Sequence, residues 1–135
     1  MDPGLSVRNN LRSRNLLSDQ VLWPEFVLHD DCIFLADGFS AEKYVYWQSY
    51  FHQLSRGKSA VESMLNNVGI LECFGNTTTQ VSAKMAKEAF SAVKDAWQAK
   101  LSKEFPERTF EVTFAINDPI ESSEISFHEN TVGSR

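Results

Sequence analysis

FVLHDDCIFL, residues 26–35, sets His29, Asp30, Asp31 and Cys32 side by side between two apolar runs. Each of the four can bind a metal or carry a proton, so the stretch reads either as a site or as a turn. A turn accounts for more of it. A two-residue hairpin loop needs residues that tolerate positive φ, and Asp is one of the few besides Gly and Asn that do. FVLH and CIFL then become two strands, with His29 and Cys32 as the closing pair and Asp30 and Asp31 pointing outward at a solvated tip.

Downstream of this hairpin, Ser40 precedes AEKYVYWQSYFHQL, in which Tyr44, Trp47, Phe51 and Leu54 fall at helical spacing. Ser40 is a good N-cap, Glu42 suits the positive first turn, and Gly57 is a natural stop. Ser59 and Glu62 have the S-x-x-E spacing of a capping box, which predicts a second, shorter helix to about residue 67. VGILECFG, 68–75, is ambiguous between a buried strand and an irregular link, because a short apolar run has no decisive period.

A long helix is predicted over about 80–104, where Ala86, Phe90, Val93, Trp97 and Leu101 form one apolar stripe and Phe105-Pro106 ends it. RTFEVTFAI, 108–116, alternates Phe110, Val112, Phe114 and Ile116 with polar and small residues, the pattern of a half-buried strand. NDPIESSE makes a turn and ISFH returns, with Ile125 and Phe127 inward. The order β-β-α-α-α-β-β predicts an α+β fold: one antiparallel sheet of about four strands with helices packed on one face. Residues 1–20, with Arg8, Arg12 and Arg14 against Asp2 and Asp19, read as a basic N-terminal arm, and 21–135 as a single domain.

A chain of 135 residues, 42% hydrophobic and 23% charged, is long enough to fold around a core without staples. Its apolar runs are far shorter than the ~20 residues that cross a bilayer, and the N-terminus lacks a continuous apolar signal segment. Two cysteines, Cys32 and Cys73, make no disulfide scaffold and no CxxC pair, so both are expected to be reduced thiols in a cytoplasmic protein that does not engage membranes.

The best metal-binding or catalytic set is His29, Asp31, His128 and Glu129, which two hairpins could place on neighbouring strands. No HExxH or H-x-x-E-H spacing supports it. There is no G-x-S-x-G elbow, Cys32 lacks an electropositive setting despite nearby His29, and GKS at 57–59 has His52 where a P-loop needs its first glycine. No catalytic residue, metal or cofactor is therefore expected.

Two surface features remain. Tyr46 and Tyr50, four apart and off the core stripe, form a pair of the kind that anchors interfaces. Residues 104–129 carry seven carboxylates against Arg108 alone, within a chain of net charge −5; Glu111, Glu121 and Glu124 are the candidates there for meeting a basic partner, and such a face repels nucleic acid. The expectation is a non-enzymatic protein-binding module, of the inhibitor or immunity type, that presents an acidic hairpin to a basic protein. Two alternatives are a small enzyme or ligand-binding domain with a pocket lined by Tyr46, Tyr50 and His52, and an assembly protein that forms homodimers through the aromatic helix.

Overall fold

The computed structural model describes residues 17–75 and 80–130. The expected basic arm falls mainly on 1–16, outside the described residues. Its last residues are packed: Leu17 is buried, the Ser18 N–H donates to the Cys73 carbonyl at 2.8 Å, and Asp19–Leu22 forms a one-turn helix, α1.

The first hairpin forms as its turn chemistry requires. β1 (Phe26–His29) pairs antiparallel with β2 (Cys32–Leu35), His29 faces Cys32 across the ladder, and Asp30 and Asp31 take φ of 51° and 65°. Both central residues in the left-handed region match the twist of the flanking strands.

α2 (Ala41–Gln53) is capped by Ser40, whose Oγ accepts from the Lys43 N–H at 3.1 Å. The helix is closed by Ser55 and not by Gly57: Ser55 has φ 58°, its N–H donates to the His52 carbonyl, and the Arg56 N–H donates to the Phe51 carbonyl. That is a Schellman closure with a serine where glycine is usual. Gly57 instead is the N-cap of α3 (Lys58–Leu65). The predicted capping box does not form, because no side chain caps α3 and Glu62 is turned into the interior.

VGILECFG resolves into a two-residue strand, β3 (Val68–Gly69), followed by a single turn, α4 (Ile70–Cys73). α5 (Ala83–Glu104) begins at Ser82, whose Oγ accepts from the Met85 N–H, and ends before Phe105-Pro106. β4 (Phe110–Ala115) and β5 (Glu124–Glu129) are joined through a short 3₁₀ turn at Ile120–Ser122.

The α+β class follows as the order of elements predicts, yet the strands divide into two sheets. β1-β2 stands as a pair, and β3-β5-β4 forms a three-stranded antiparallel sheet. The helices divide accordingly. α5 packs on the three-stranded sheet, burying Phe90, Val93, Trp97 and Leu101 with Val112, Ile125 and Phe127. Its Ala86, Ala89, Ala92 and Ala96 add little bulk to that buried face, so larger neighbours can fill it. α2 and α3 enclose a second cluster of Cys32, Phe34, Tyr44 and Val61. β2 lies between the two cores: Ile33 and Leu35 serve the first, Cys32 and Phe34 the second, which is why all four of its residues are buried. Among the described residues no helix is long and apolar enough to cross a membrane.

What joins the sheets is a seam of two side chains, one from α3 and one from its C-cap, Asn66. The Glu62 carboxylate accepts from the Ile33 N–H of β2 at 2.7 Å and from the Glu129 N–H of β5 at 2.5 Å. Asn66 accepts from the Leu35 N–H at 2.8 Å and donates to the carbonyls of Ile33 and Phe127 at 2.9 and 3.3 Å. The spacing is what permits this. Four residues of helix rise ~6 Å, and two residues of strand advance ~6.7 Å, so an i, i+4 pair on a helix can address an i, i+2 pair on a strand edge. Buried backbone groups that would otherwise lack partners are thereby satisfied without a strand between β2 and this half of β5.

Candidate functional site

The His29–Cys32 cluster is tied to the rest of the fold and is not a free tip. The Tyr44 hydroxyl donates to Asp30, whose carboxylate also lies 3.5 Å from Lys58 Nζ. The tyrosine bond, more than the lysine charge, holds the Asp30 carboxyl below its ordinary range, while burial raises the Tyr44 phenol. Arg108 reaches across from the start of β4 to Asp31 at 2.7 Å and to Glu129 at 3.0 Å. Its hydrogen bond to Asp31 is the main reason its own pKa rises. Asp30 and Asp31 are both exposed at the tip, as the turn reading expects, and each carboxylate is in addition engaged from the protein side.

His29, Asp31, His128 and Glu129 do not converge. His29 packs its ring on Tyr44 and Phe39, and His128 Nε2 lies 3.4 Å from Glu111. Among the described residues no three His, Cys, Asp or Glu side chains gather as a metal set. Burial pushes the Cys32 and Cys73 thiols up to about 12, so each is a neutral buried group at pH 7 and a poor nucleophile.

The partner-binding residues inferred from sequence fall on two separate parts of the molecule. Tyr46 and Tyr50 are 64% and 45% exposed on α2, with Leu54 next along the same stripe at 52%. Trp47 stands between the tyrosines, its ring perpendicular to both at centroid separations of 5.1 and 5.5 Å. Phe51 continues the ladder, 5.4 Å from Tyr50, with the Arg56 guanidinium over its ring. α2 is thus an unusual helix: Tyr44 is its one buried residue among 13. Tyr44, Trp47 and Phe51 face the smaller cluster as the spacing predicts, and the tyrosines widen that stripe into solvent.

Glu111, Glu121 and Glu124 are exposed on β4, the 3₁₀ turn and the first position of β5. Ladder register puts Glu111 opposite His128 and Glu124 opposite Ala115, so they stand at opposite ends of the hairpin. Between them Ser126 is buried, its hydroxyl donating to the Ser63 carbonyl of α3. Glu111 and Glu124 are therefore separated along the hairpin, with buried Ser126 and exposed Thr113 between them.

The pocket imagined between sheet and helices is not where Tyr46, Tyr50 and His52 lie. His52 borders a shallow groove with Gln48, Ser49 and Gln53, to which neither tyrosine contributes. A separate, more enclosed cleft of about 320 Å³ opens between α1, α4 and the end of α3, beside Pro24, Leu35, Asn67 and Trp97.

The seam residues Glu62 and Asn66 are the polar groups that the sequence reading does not reach. Glu62 is 2% exposed, and burial drives its carboxyl upward against the opposing pull of the Glu129 and Ile33 N–H groups. Their role is structural, since all their bonds run to backbone inside the fold. No family model, no curated protein and no solved structure matches this chain.

Proposed function

We propose that this protein is a non-enzymatic binding module that holds a basic protein partner through the outer face of α2, with Glu111, Glu121 and Glu124 steering the approach. The observation that carries this reading is the exposed stripe of Tyr46, Tyr50 and Leu54 on a helix that buries a single residue. Large amphipathic rings with few rotatable bonds are strong interface anchors, and an apolar stripe at i, i+4 and i+8 is the face a helix lays into a partner's groove. The chain's net charge of −5 favours a partner of opposite sign. Two buried free thiols suit a reducing compartment, which supports a cytoplasmic setting.

The test is photo-crosslinking in the native cells with a benzophenone amino acid at position 50, against a control at the exposed Ser91 on α5. A basic protein joined at position 50 and not at 91, and released by Tyr46→Ala, supports the reading. A crosslink to a second copy of this chain would favour homodimeric assembly, and absence of any position-specific adduct would overturn the proposal.

A further inference from the structure

Among the described residues no strand pairs with the outer side of β1 or of β4. Which backbone groups of β1 point outward follows from the ladder. On β2 the N–H groups of Ile33 and Leu35 turn away from β1, towards Glu62 and Asn66. Their cross-strand neighbours Leu28 and Phe26 therefore turn the opposite way, while the Glu25 carbonyl accepts from the Ala36 N–H at 2.9 Å and, by alternation, Val27 and His29 bond inward to β2. The N–H and carbonyl groups of Phe26 and Leu28 thus make an edge of four polar groups with no partner among the described residues. The Leu28 side chain beside them is 57% exposed. β4 carries Glu111 within a hairpin of seven carboxylates against Arg108 alone, whereas β1 holds no Asp, Glu, Lys or Arg. A charged edge resists pairing with its own kind, and a neutral apolar one does not.

We infer that β1 pairs antiparallel with β1 of a second copy of this chain, giving a homodimer with a continuous sheet of order β2-β1-β1-β2. The edge is complementary to itself. With Val27 facing Val27 on the two-fold axis, each Phe26 faces Leu28 of the other copy; each Phe26 N–H donates to a Leu28 carbonyl and each Leu28 N–H to a Phe26 carbonyl, four bonds in all. A slip of two residues sets Leu28 against Pro24, which has no N–H, or Phe26 against Asp30 in the turn, so this alignment alone uses all four groups. The same register sets exposed Glu25 opposite His29 of the other copy, twice, a carboxylate acceptor facing an imidazole that carries an N–H donor in either protonation state. The axis is normal to the sheet, so the α2 helices, which cover the Val27 and Phe34 face, fall on one side and offer a partner two tyrosine stripes at once. This goes beyond the α2 reading and does not depend on it.

Sedimentation velocity of the full chain over roughly two decades of concentration, with amide exchange followed by NMR, tests the pairing. The mass should rise towards twice that of the monomer, and exchange at Phe26 and Leu28 should slow with it while Val27 and His29 stay unchanged. Leu28→Pro deletes two of the four bonds and none to β2, and should weaken association by about 10-fold or more. Leu28→Lys, at the same exposed position with an intact backbone, should also weaken it and decides the matter where the proline variant fails to fold. Glu25→Lys should weaken it by about 3-fold. Tyr46→Ala with Tyr50→Ala should change it by less than about 2-fold. A chain that stays monomeric, or a dimer indifferent to Leu28→Lys, overturns the inference. Loss of the dimer on tyrosine replacement gives it to α2 and overturns the β1 pairing, as do Phe26 and Leu28 amides already slow in the dilute monomer, which would mean that the chain covers its own edge. A monomer that still yields a basic adduct at position 50 leaves the α2 reading standing, and a β1 dimer with no adduct there removes that reading alone.

Discussion

Glu62 of α3 and Asn66, the C-cap one turn later, between them bond five backbone groups of two strands that never pair: the N–H groups of Ile33, Leu35 and Glu129 and the carbonyls of Ile33 and Phe127. The polarity of each side-chain atom is dictated by what it faces, which makes near-isosteric substitutions informative.

Asn66→Asp keeps the shape and the acceptor for Leu35 but turns an oxygen towards two carbonyls in a site with no solvent exposure. A buried carboxylate with no counter-charge, one oxygen of which faces carbonyls, costs roughly 3–5 kcal/mol. Urea unfolding measures it, and a loss under ~1 kcal/mol would show that Asn66 is replaceable packing.

Glu62→Gln removes a buried charge yet points an amide NH₂ at a backbone N–H, so a net loss of about 1–3 kcal/mol is expected from the unsatisfied donor. The pH dependence has a definite sign. Because burial raises the folded-state pKa of Glu62 above 4.5, the native state binds the extra proton, and the stability linked to it is present at low pH and lost as pH rises through the folded pKa. The advantage of wild type over Glu62→Gln should therefore narrow as pH climbs past the ordinary glutamate range. Denaturant melts at several pH values check this, and a widening gap would reverse the assignment.

Ser55→Gly should stabilise the protein. Ser55 occupies the left-handed region at φ 58° in the closure of α2, where a side chain costs on the order of 1 kcal/mol that glycine avoids. A thermal midpoint that falls would mean the hydroxyl contributes something beyond the backbone geometry.

Trp97→Ala should cost about 3–5 kcal/mol, as other large core aromatics do. Trp97 is fully buried, packs edge-on against Phe127 at 5.5 Å, and donates from its indole to the Val21 carbonyl at 2.6 Å. Its loss should loosen α1 as well as the core, which amide exchange at residues 19–22 would report.

For the captured partner, charge reversal at Glu111, Glu121 and Glu124 should slow association, and added salt should narrow the difference, because exposed charges act over about 10 Å at 0.1 M salt. Tyr46→Ala and Tyr50→Ala should instead speed dissociation. Stopped-flow kinetics at two salt concentrations separates the two effects. An unchanged association rate in the triple variant would remove the acidic residues from the mechanism.

The hairpin at 26–35, the stripe of α5 and the alternation of β4 are legible from sequence because each is local: turn chemistry at Asp30-Asp31, a 3.6-residue period, a two-residue period. The division into two sheets is not, because it depends on which strand edges meet. Glu62 imitates a capping residue three places after Ser59, and a polar pair at i, i+4 ordinarily marks a solvated face. One signal was present: Glu62 and Asn66 directly follow Val61 and Leu65, so they border the apolar stripe of the same short helix. The Tyr46–Tyr50 pair was legible as an excess over one face. The cleft beside Pro24 and Trp97 was not, since its walls come from α1, α4 and the end of α3.

A ladder of strands can slip by two residues and still find hydrogen bonds along a uniform backbone, whereas the contact between β2 and β5 runs through two side chains onto a strand of four residues. One carboxylate and one carboxamide meet their targets in a single alignment. Because β2 is four residues long, shifting it by a dipeptide in either direction would leave Glu62 or Asn66 facing a residue outside the strand, Asp31 or Asp37. The two hairpins can therefore form independently from near-neighbour contacts, and α3 acts as the key that admits only one way of docking them.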